Sequence, residues 1–310
     1  MKALLLGPNG QLGTDIRLAN DRRGEPIKIL SIGRTQIDLS NIEAAISSLR
    51  EQEFDALINC SSYHRTDEVE GNAQQAFTIN AHLVKRLSEL AAEKHAGFFH
   101  VSTDYVFGGQ PQQSPLSENA PKAPVNIYGA SKAMGEDLAL LANGETRILR
   151  VASLFGIAGA SGKGGNFVET MLRLAKEKGE LRVVADQTMS PTSTLDAAEA
   201  MIDMVLDKAP PGIWHVVNSG ASTWFEFAER IISDANVNAR VLPIKTDQFP
   251  TPAARPRYSA LDNQKVSKAV RAMRPWQEAL TDYLVAKGHR QKILVSGSAT
   301  LPCTKDSRQR

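Results

Sequence analysis

The chain has 310 residues, 42% of them hydrophobic and 23% charged, which is enough to bury a sizeable core and excludes a mini-scaffold, a disordered chain and a fibrous one. Its formal charge of +2 is uneven: residues 289–310 carry +4, which leaves about −2 on residues 1–288, so the body lacks the basic surplus of a nucleic-acid binder. No apolar run approaches the roughly 18 residues of a membrane span, the first six residues are too short and wrongly flanked for a signal peptide, and Cys60 and Cys303 do not suggest a disulfide framework, so a cytoplasmic protein is expected.

In chain order, the short apolar runs 2–6, 27–32, 56–59, 97–102 and 147–151 read as strands buried on both faces. Helical spacing of apolar residues at 42–50, 73–94 and 128–142 separates them, the first preceded by the capping candidates Asp38 and Ser40. The alternation predicts an α/β fold with a Rossmann-like, doubly wound parallel sheet over residues 1–152. From 153 to 288 the rhythm changes: helices are expected at 167–178, 194–208 and 223–235, and short strands at 181–185 and 214–217. This region reads as a smaller C-terminal substrate lobe interleaved with the end of the sheet, with Trp214, Trp224 and Phe225 in its core. Prolines 250, 252 and 256 predict a non-helical loop, the glycines of 159–165 a long connection or a lid, and residues 289–310 a disordered tail.

Directly after the first strand stands Gly7-Pro8-Asn9-Gly10-Gln11-Leu12-Gly13, a GxxGxxG spacing opening a helical pattern. Glycines there permit a sharp turn and a close approach of backbone to a pyrophosphate, while the helix start supplies free N–H groups. At the end of the second strand, where an acid would grip a ribose 2′-hydroxyl, the chain offers Arg34. A guanidinium suits a 2′-phosphate and so favours NADP over NAD; it also fits a solvated surface. Asp38, with Leu39 beside it, either meets an adenine edge or caps the next helix.

Tyr128-Gly129-Ala130-Ser131-Lys132 sets a phenol and an ammonium four residues apart on one helix face. A held ammonium favours the phenolate and brings the acid nearer a useful strength. Thr103, in Ser102-Thr103-Asp104-Tyr105, lies at the carboxyl end of the fourth strand, where open parallel sheets bind ligands, and can hydrogen-bond a carbonyl alongside the tyrosine.

Together GPNGQLG, NCSSYHRTDEVE, STDYVFGG, YGASK, GGNFVETMLRLAKEK and TPAARPRYSALD resemble the extended short-chain dehydrogenase/reductases, and within them look most like the dTDP-4-dehydrorhamnose reductases, over residues 1 to about 288. The resemblance implies NAD(P)H-dependent reduction of the 4-keto group of a nucleotide-linked deoxysugar. It implies Thr103, Tyr128 and Lys132 as catalytic residues; Gly7, Asn9, Gly10, Gln11, Leu12, Gly13, Asp38, Leu39, Ser61, Ser62 and Tyr63 around the cofactor; and His64, Asp104, Tyr105, Ser153 and Arg255 around the sugar nucleotide. Partners expected are that substrate and a second copy of the chain, not nucleic acid, membrane or metal.

The chain departs from this pattern. Arg150-Val151-Ala152-Ser153 replaces the usual RTSW, removing an aromatic wall, and His64, Arg65 and Glu68 stand where threonine, alanine and lysine are common. Two other uses fit the same motifs: a non-catalytic subunit resembling the regulatory subunit of methionine adenosyltransferase, and a nucleotide-sugar epimerase or dehydratase. His64 beside Arg65 suits a diphosphate or the surface, and Asn166 a helix cap in preference to a ligand contact.

Overall fold

In the computed structural model, which describes residues 1–111, 113–159 and 165–291, the early apolar runs are β1 (Lys2–Leu6), β2 (Lys28–Ile32), β3 (Ala56–Asn59), β4 (Gly97–Thr103) and β5 (Thr146–Val151). Between them lie α1 (Gln11–Arg22), α2 (Ile42–Arg50), α3 (Thr66–Glu70), α4 (Ala73–Phe77), a π-helical turn (Thr78–His82), α5 (Leu83–Glu93) and α6 (Ile127–Ala142). Beyond β5 follow β6 (Leu154–Phe155), α7 (Phe167–Lys178), β7 (Glu180–Val184), β8 (Thr188–Met189), β9 (Thr192–Ser193), α8 (Thr194–Leu206) and β10 (Gly212–His215). The last are β11 (Ser222–Thr223), α9 (Trp224–Asp234), β12 (Arg240–Ile244), α10 (Gln264–Ala269) and α11 (Trp276–Ala286).

Six strands pair in parallel in the order β10-β5-β4-β3-β1-β2. Because successive residues of a strand face opposite ways, Ala3, Leu5, Ile58, Leu149 and Trp214 meet α1 and α8 on one side, while Leu4, Leu6, Leu57, Phe98 and Ile148 meet α2 and α5 on the other. The chain steps from β1 to β2 in one direction and to β3 in the other. Between the carboxyl ends of β1 and β3 that reversal leaves a crevice, the usual ligand site of doubly wound sheets. A second core joins Phe155 of β6 to Leu172, Phe227, Trp276 and Leu284 from α7, α9 and α11.

Several expectations are corrected. β2 is an edge strand with alternating exposure, Leu30 being 43% exposed, so it is not covered on both faces. Trp214 belongs to the core of the main sheet, because β10 pairs with β5; Trp224 and Phe225 pack on the second core. The chain after 152 therefore divides: α8, β10 and α10, whose Val266 enters the same core, complete the sheet layer, while α7, α9 and α11 build the second core. His289 Nε2 lies 3.1 Å from Glu169 Oε2 and Arg290 Nη1 3.2 Å from Asp234 Oδ2, so the first residues of the expected tail are tied to the lobe. Residues 292–310 and 160–164 of the glycine-rich connection lie outside the described residues.

Candidate active site

At the crevice, β1 gives way to Gly7 at φ 76°, packed against the turn after β3: a Cβ there would stand 2.9 Å from the carbonyl carbon of Cys60 and 3.0 Å from Ser61 N. After Gly10, α1 starts at Gln11 with no side chain capping it and no acid in its first turn, and Gln11 Oε1 is buried without a partner. These are the free donors and spare amide capacity that a pyrophosphate needs. Leu12 packs into the core, so only its backbone N–H is available to a ligand; Asn9 is exposed beside the loop. Arg34 is exposed after β2 and makes no ion pair among the described residues.

Asp38 does not cap α2. Its Oδ1 accepts from Ser40 N at 2.9 Å and Ser40 Oγ at 2.7 Å, which holds its carboxyl below the usual range, and Asn41 caps the helix through Ala44 N at 3.3 Å. Leu39 packs half-buried on the adjacent core.

The turn after β3 carries Ser61, Ser62, Tyr63 and His64. Ser61 is held by Asn59, whose Oδ1 accepts from Ser61 N at 3.0 Å and from Ser61 Oγ at 2.5 Å. Tyr63 is clasped through its backbone by Asn80, which accepts from Tyr63 N at 2.9 Å and donates to Tyr63 O at 3.0 Å. Asn80 sits in the π-helical turn and also donates to Ser131 Oγ on α6 at 3.0 Å. The sequence reading missed it. His64 Nδ1 lies 3.5 Å from Ser62 O.

The start of α6 sets the tyrosine. Asn126 caps it through Gly129 N at 2.7 Å, and Gly129 lies so close to the 3₁₀ turn Asp104–Val106 that a Cβ would stand 2.1 Å from Tyr105 O. That contact seats Tyr128 edge-on to Tyr105 at 5.8 Å. Burial pushes the Tyr128 phenol well above its ordinary value; the Thr103 hydroxyl lowers it less, and Asp104 raises it further. An acidified phenol was expected. Instead Lys132, 1% exposed, donates to Val101 O at 2.7 Å and lies 3.0 Å from His100 Nε2, and burial brings its ammonium down to about 8.

Thr103 Oγ1 donates to Asp104 Oδ1 at 3.1 Å and accepts from Tyr105 N at 3.2 Å. Asp104 is buried, bonded by Ser259 Oγ at 2.6 Å, and burial raises its carboxyl to about 6. Ser153, at φ 43°, shares a cleft with Asp104, Tyr105, Met189, Trp224 and Ser259. Trp224 thus faces the place from which the expected aromatic is missing. Arg255, expected beside a diphosphate, is held by Asp67 of α3 through two contacts of 2.9 Å. Among the described residues no cluster of His, Cys, Asp and Glu is placed to hold a metal, and no helix is long and apolar enough to cross a membrane.

The profile of the family described as RmlD substrate binding domain matches residues 1–288. The spore coat polysaccharide biosynthesis protein SpsK of Bacillus subtilis is 35% identical over 283 residues, covering 91% of this chain and 96% of that protein. A dTDP-4-dehydrorhamnose reductase of Mycolicibacterium smegmatis is 33% identical over 287 residues, covering 92% and 85%. The solved dTDP-4-dehydrorhamnose reductase of Bacillus anthracis, in complex with NADP, superposes with a TM-score of 0.83 at 33% identity, covering 92% of this chain and 99% of that one.

Proposed function

The chain belongs to the RmlD substrate binding domain family, and we propose that it is an NAD(P)H-dependent reductase that converts the 4-keto group of dTDP-4-dehydro-L-rhamnose to the alcohol of dTDP-L-rhamnose. The observation that carries this reading is the buried Tyr128, seated edge-on to Tyr105 at the carboxyl end of β4, where Thr103 stands. A dinucleotide fits the crevice: the uncapped start of α1, the unpartnered Gln11 amide and the close-packed Gly7 turn suit a pyrophosphate held by Gly7, Asn9, Gly10, Gln11, Leu12 and Gly13. Arg34 suits a 2′-phosphate, Asp38 and Leu39 the adenosine, and Ser61, Ser62 and Tyr63 the middle of the cofactor.

Bound in this crevice, a reduced nicotinamide would supply the hydride that the carbonyl carbon needs. Tyr128 donates its proton to the developing alkoxide, which is far more basic than a phenolate, so a phenol kept protonated by burial is in the correct state for reduction. Thr103 turns its hydroxyl from Asp104 to the carbonyl oxygen, and Lys132 holds the nicotinamide ribose and supports the phenolate left behind. His64, Asp104, Tyr105, Ser153 and Arg255 line the sugar-nucleotide side, Arg255 exchanging or sharing Asp67 with a phosphate. The reading carries a cytoplasmic location, and partners limited to the nucleotide sugar and a second copy of the chain.

The purified protein is incubated with NADPH or NADH and dTDP-4-dehydro-6-deoxy sugars while cofactor absorbance is followed. Oxidation matched by alcohol product supports the reading. Cofactor binding without turnover of any keto sugar overturns it in favour of a binding subunit, and protein purified with tightly held NAD that interconverts sugars favours an epimerase.

A further inference from the structure

Behind the candidate site a buried chain of side chains runs from the Ser61 turn to Lys132. Asn59 and His100 are 0% exposed, and Asn59 Nδ2 lies 3.1 Å from His100 Nδ1, whose Nε2 lies 3.0 Å from Lys132 Nζ. The backbone N–H of Ser61 is a donor without choice, so the Asn59 atom it meets at 3.0 Å is the oxygen and the atom turned toward His100 is the NH₂. An imidazole placed between an NH₂ and a lysine has one lone pair when neutral. If Nδ1 accepts from Asn59, Nε2 bears the proton and points it at Lys132, which can accept only as the free amine. If Lys132 is an ammonium, it takes the Nε2 lone pair, and Nδ1–H confronts the Asn59 NH₂ until that amide turns away from Ser61.

We propose that His100 is a positioning residue whose tautomer couples the protonation of Lys132 to the Asn59–Ser61 turn at the edge of the cofactor crevice. The arrangement in the structure is the one that suits the amine form of Lys132. A ligand that engages Ser61 and frees Asn59 to turn would favour the ammonium, so occupancy of the crevice would charge the lysine. The assignment of the crevice to a dinucleotide, and of Lys132 to catalysis, rests on the reductase reading; the coupling between the three side chains does not.

The other groups around Lys132 leave this switch in place. Glu136, one turn further along α6, is paired with Arg150 of β5 at 2.7 Å and accepts from Ser102 of β4 at 2.6 Å, and acts on Lys132 only through its charge. Lys122 lies 3.6 Å from the same carboxylate. Cys60, after β3, is pushed up to about 12 by burial and stays a neutral thiol. Tyr128 on α6 stays protonated, and Phe98 stacks on His100 at 6.1 Å without titrating. Burial and the Lys132 charge keep the His100 imidazolium from forming, so the ring changes tautomer and not charge.

The test labels the six histidines of the full chain with ¹⁵N and follows the ring nitrogens from about pH 6 to 10, His100 being assigned by the signal lost in His100→Gln. A change from the Nδ1–H to the Nε2–H tautomer as the pH rises supports the coupling; one tautomer throughout overturns it. Asn59→Asp keeps an oxygen for Ser61 and turns an acceptor toward Nδ1, so it should move the alkaline limb of kcat/KM up by about one pH unit or more. Because a carboxylate also acts on Lys132 by charge alone, the same change is made in His100→Gln, where the shift should shrink. A limb that does not move, or an equal shift in both backgrounds, overturns the proposal. Tautomer exchange in a protein that reduces no ketone would sink the reductase reading and leave the coupling standing.

Discussion

Gly13 packs against the carbonyl of Gly7 so closely that a methyl group on its Cα would stand 2.2 Å from that oxygen and 2.9 Å from Cα of Pro8. A side chain at Gly10 would meet the same oxygen at 3.6 Å, an ordinary contact. The two glycines should therefore fail differently. Gly13→Ala forces backbone apart and should cost about 2 kcal/mol or more, read as a Tm lowered by several degrees. Gly10→Ala should lower Tm little and weaken NADPH about tenfold or more, because its methyl enters the space a pyrophosphate would take. Equal Tm losses in the two variants would refute the distinction.

Tyr128→Phe removes the proton donor and leaves the crevice intact. Turnover should fall about 10² to 10⁴-fold with the NADPH Kd nearly unchanged. If affinity drops by as much as rate, the phenol is a binding group and not the acid.

Arg34 stands exposed after β2 with no carboxylate to satisfy it among the described residues. Arg34→Ala should raise the Kd for NADPH about ten- to a hundredfold and spare NADH, in line with one lost charge-assisted contact. Titrating both cofactors checks it, and a matching loss for NADH would remove the 2′-phosphate assignment.

Asp104 titrates near 6 in the fold and near 3.8 as a free side chain. Between those values the folded state binds more protons than the unfolded one, so this group makes stability fall as pH rises, with no further loss above about 6. Asp104→Asn cannot lose a proton, and its melting temperature relative to wild type should climb from about pH 4 to 6 and then level off. Paired melts across that range decide it; a constant difference would mean that the carboxyl is not perturbed.

Trp224 faces the cleft beside Ser153. If it supplies the wall that residue 153 lacks, Trp224→Ala should raise KM for the sugar nucleotide about tenfold without altering NADPH affinity. Steady-state kinetics with each substrate varied in turn separates the two.

The sheet was legible because β1, β3 and β5 are five- or six-residue, or shorter, runs buried along nearly their whole length, and such strands leave no polar alternation to misread. What stayed hidden depends on contacts between distant residues. Trp214 lies in an apolar run that does not declare which core it enters until β10 pairs with β5. The π-helical turn that aims Asn80 at Tyr63 interrupts a helix whose apolar spacing continues on both sides. Tyr128 and Lys132 were visible as a local pair, whereas the partner that Lys132 takes, His100, arrives from β4 across 32 residues. The cap of α2 fell three residues from the first candidate because Asp38, Ser40 and Asn41 all have side chains able to do it.

The docking of α8 on α1 has a practical outcome. Asp15 of α1, 2% exposed, is bonded by Thr194 at the first turn of α8, and Arg23 just beyond α1 pairs with both Glu199 and Asp203. A recombinant fragment cut after residue 152 would lose that helix and β10 together, baring Ile16 and Ala19 to water and leaving β5 as a raw sheet margin. Such a fragment should precipitate or self-associate, whereas a version in which linkers bridge 152 to 193–217 and on to 262–274 would restore the missing layer, Val266 and Met273 included.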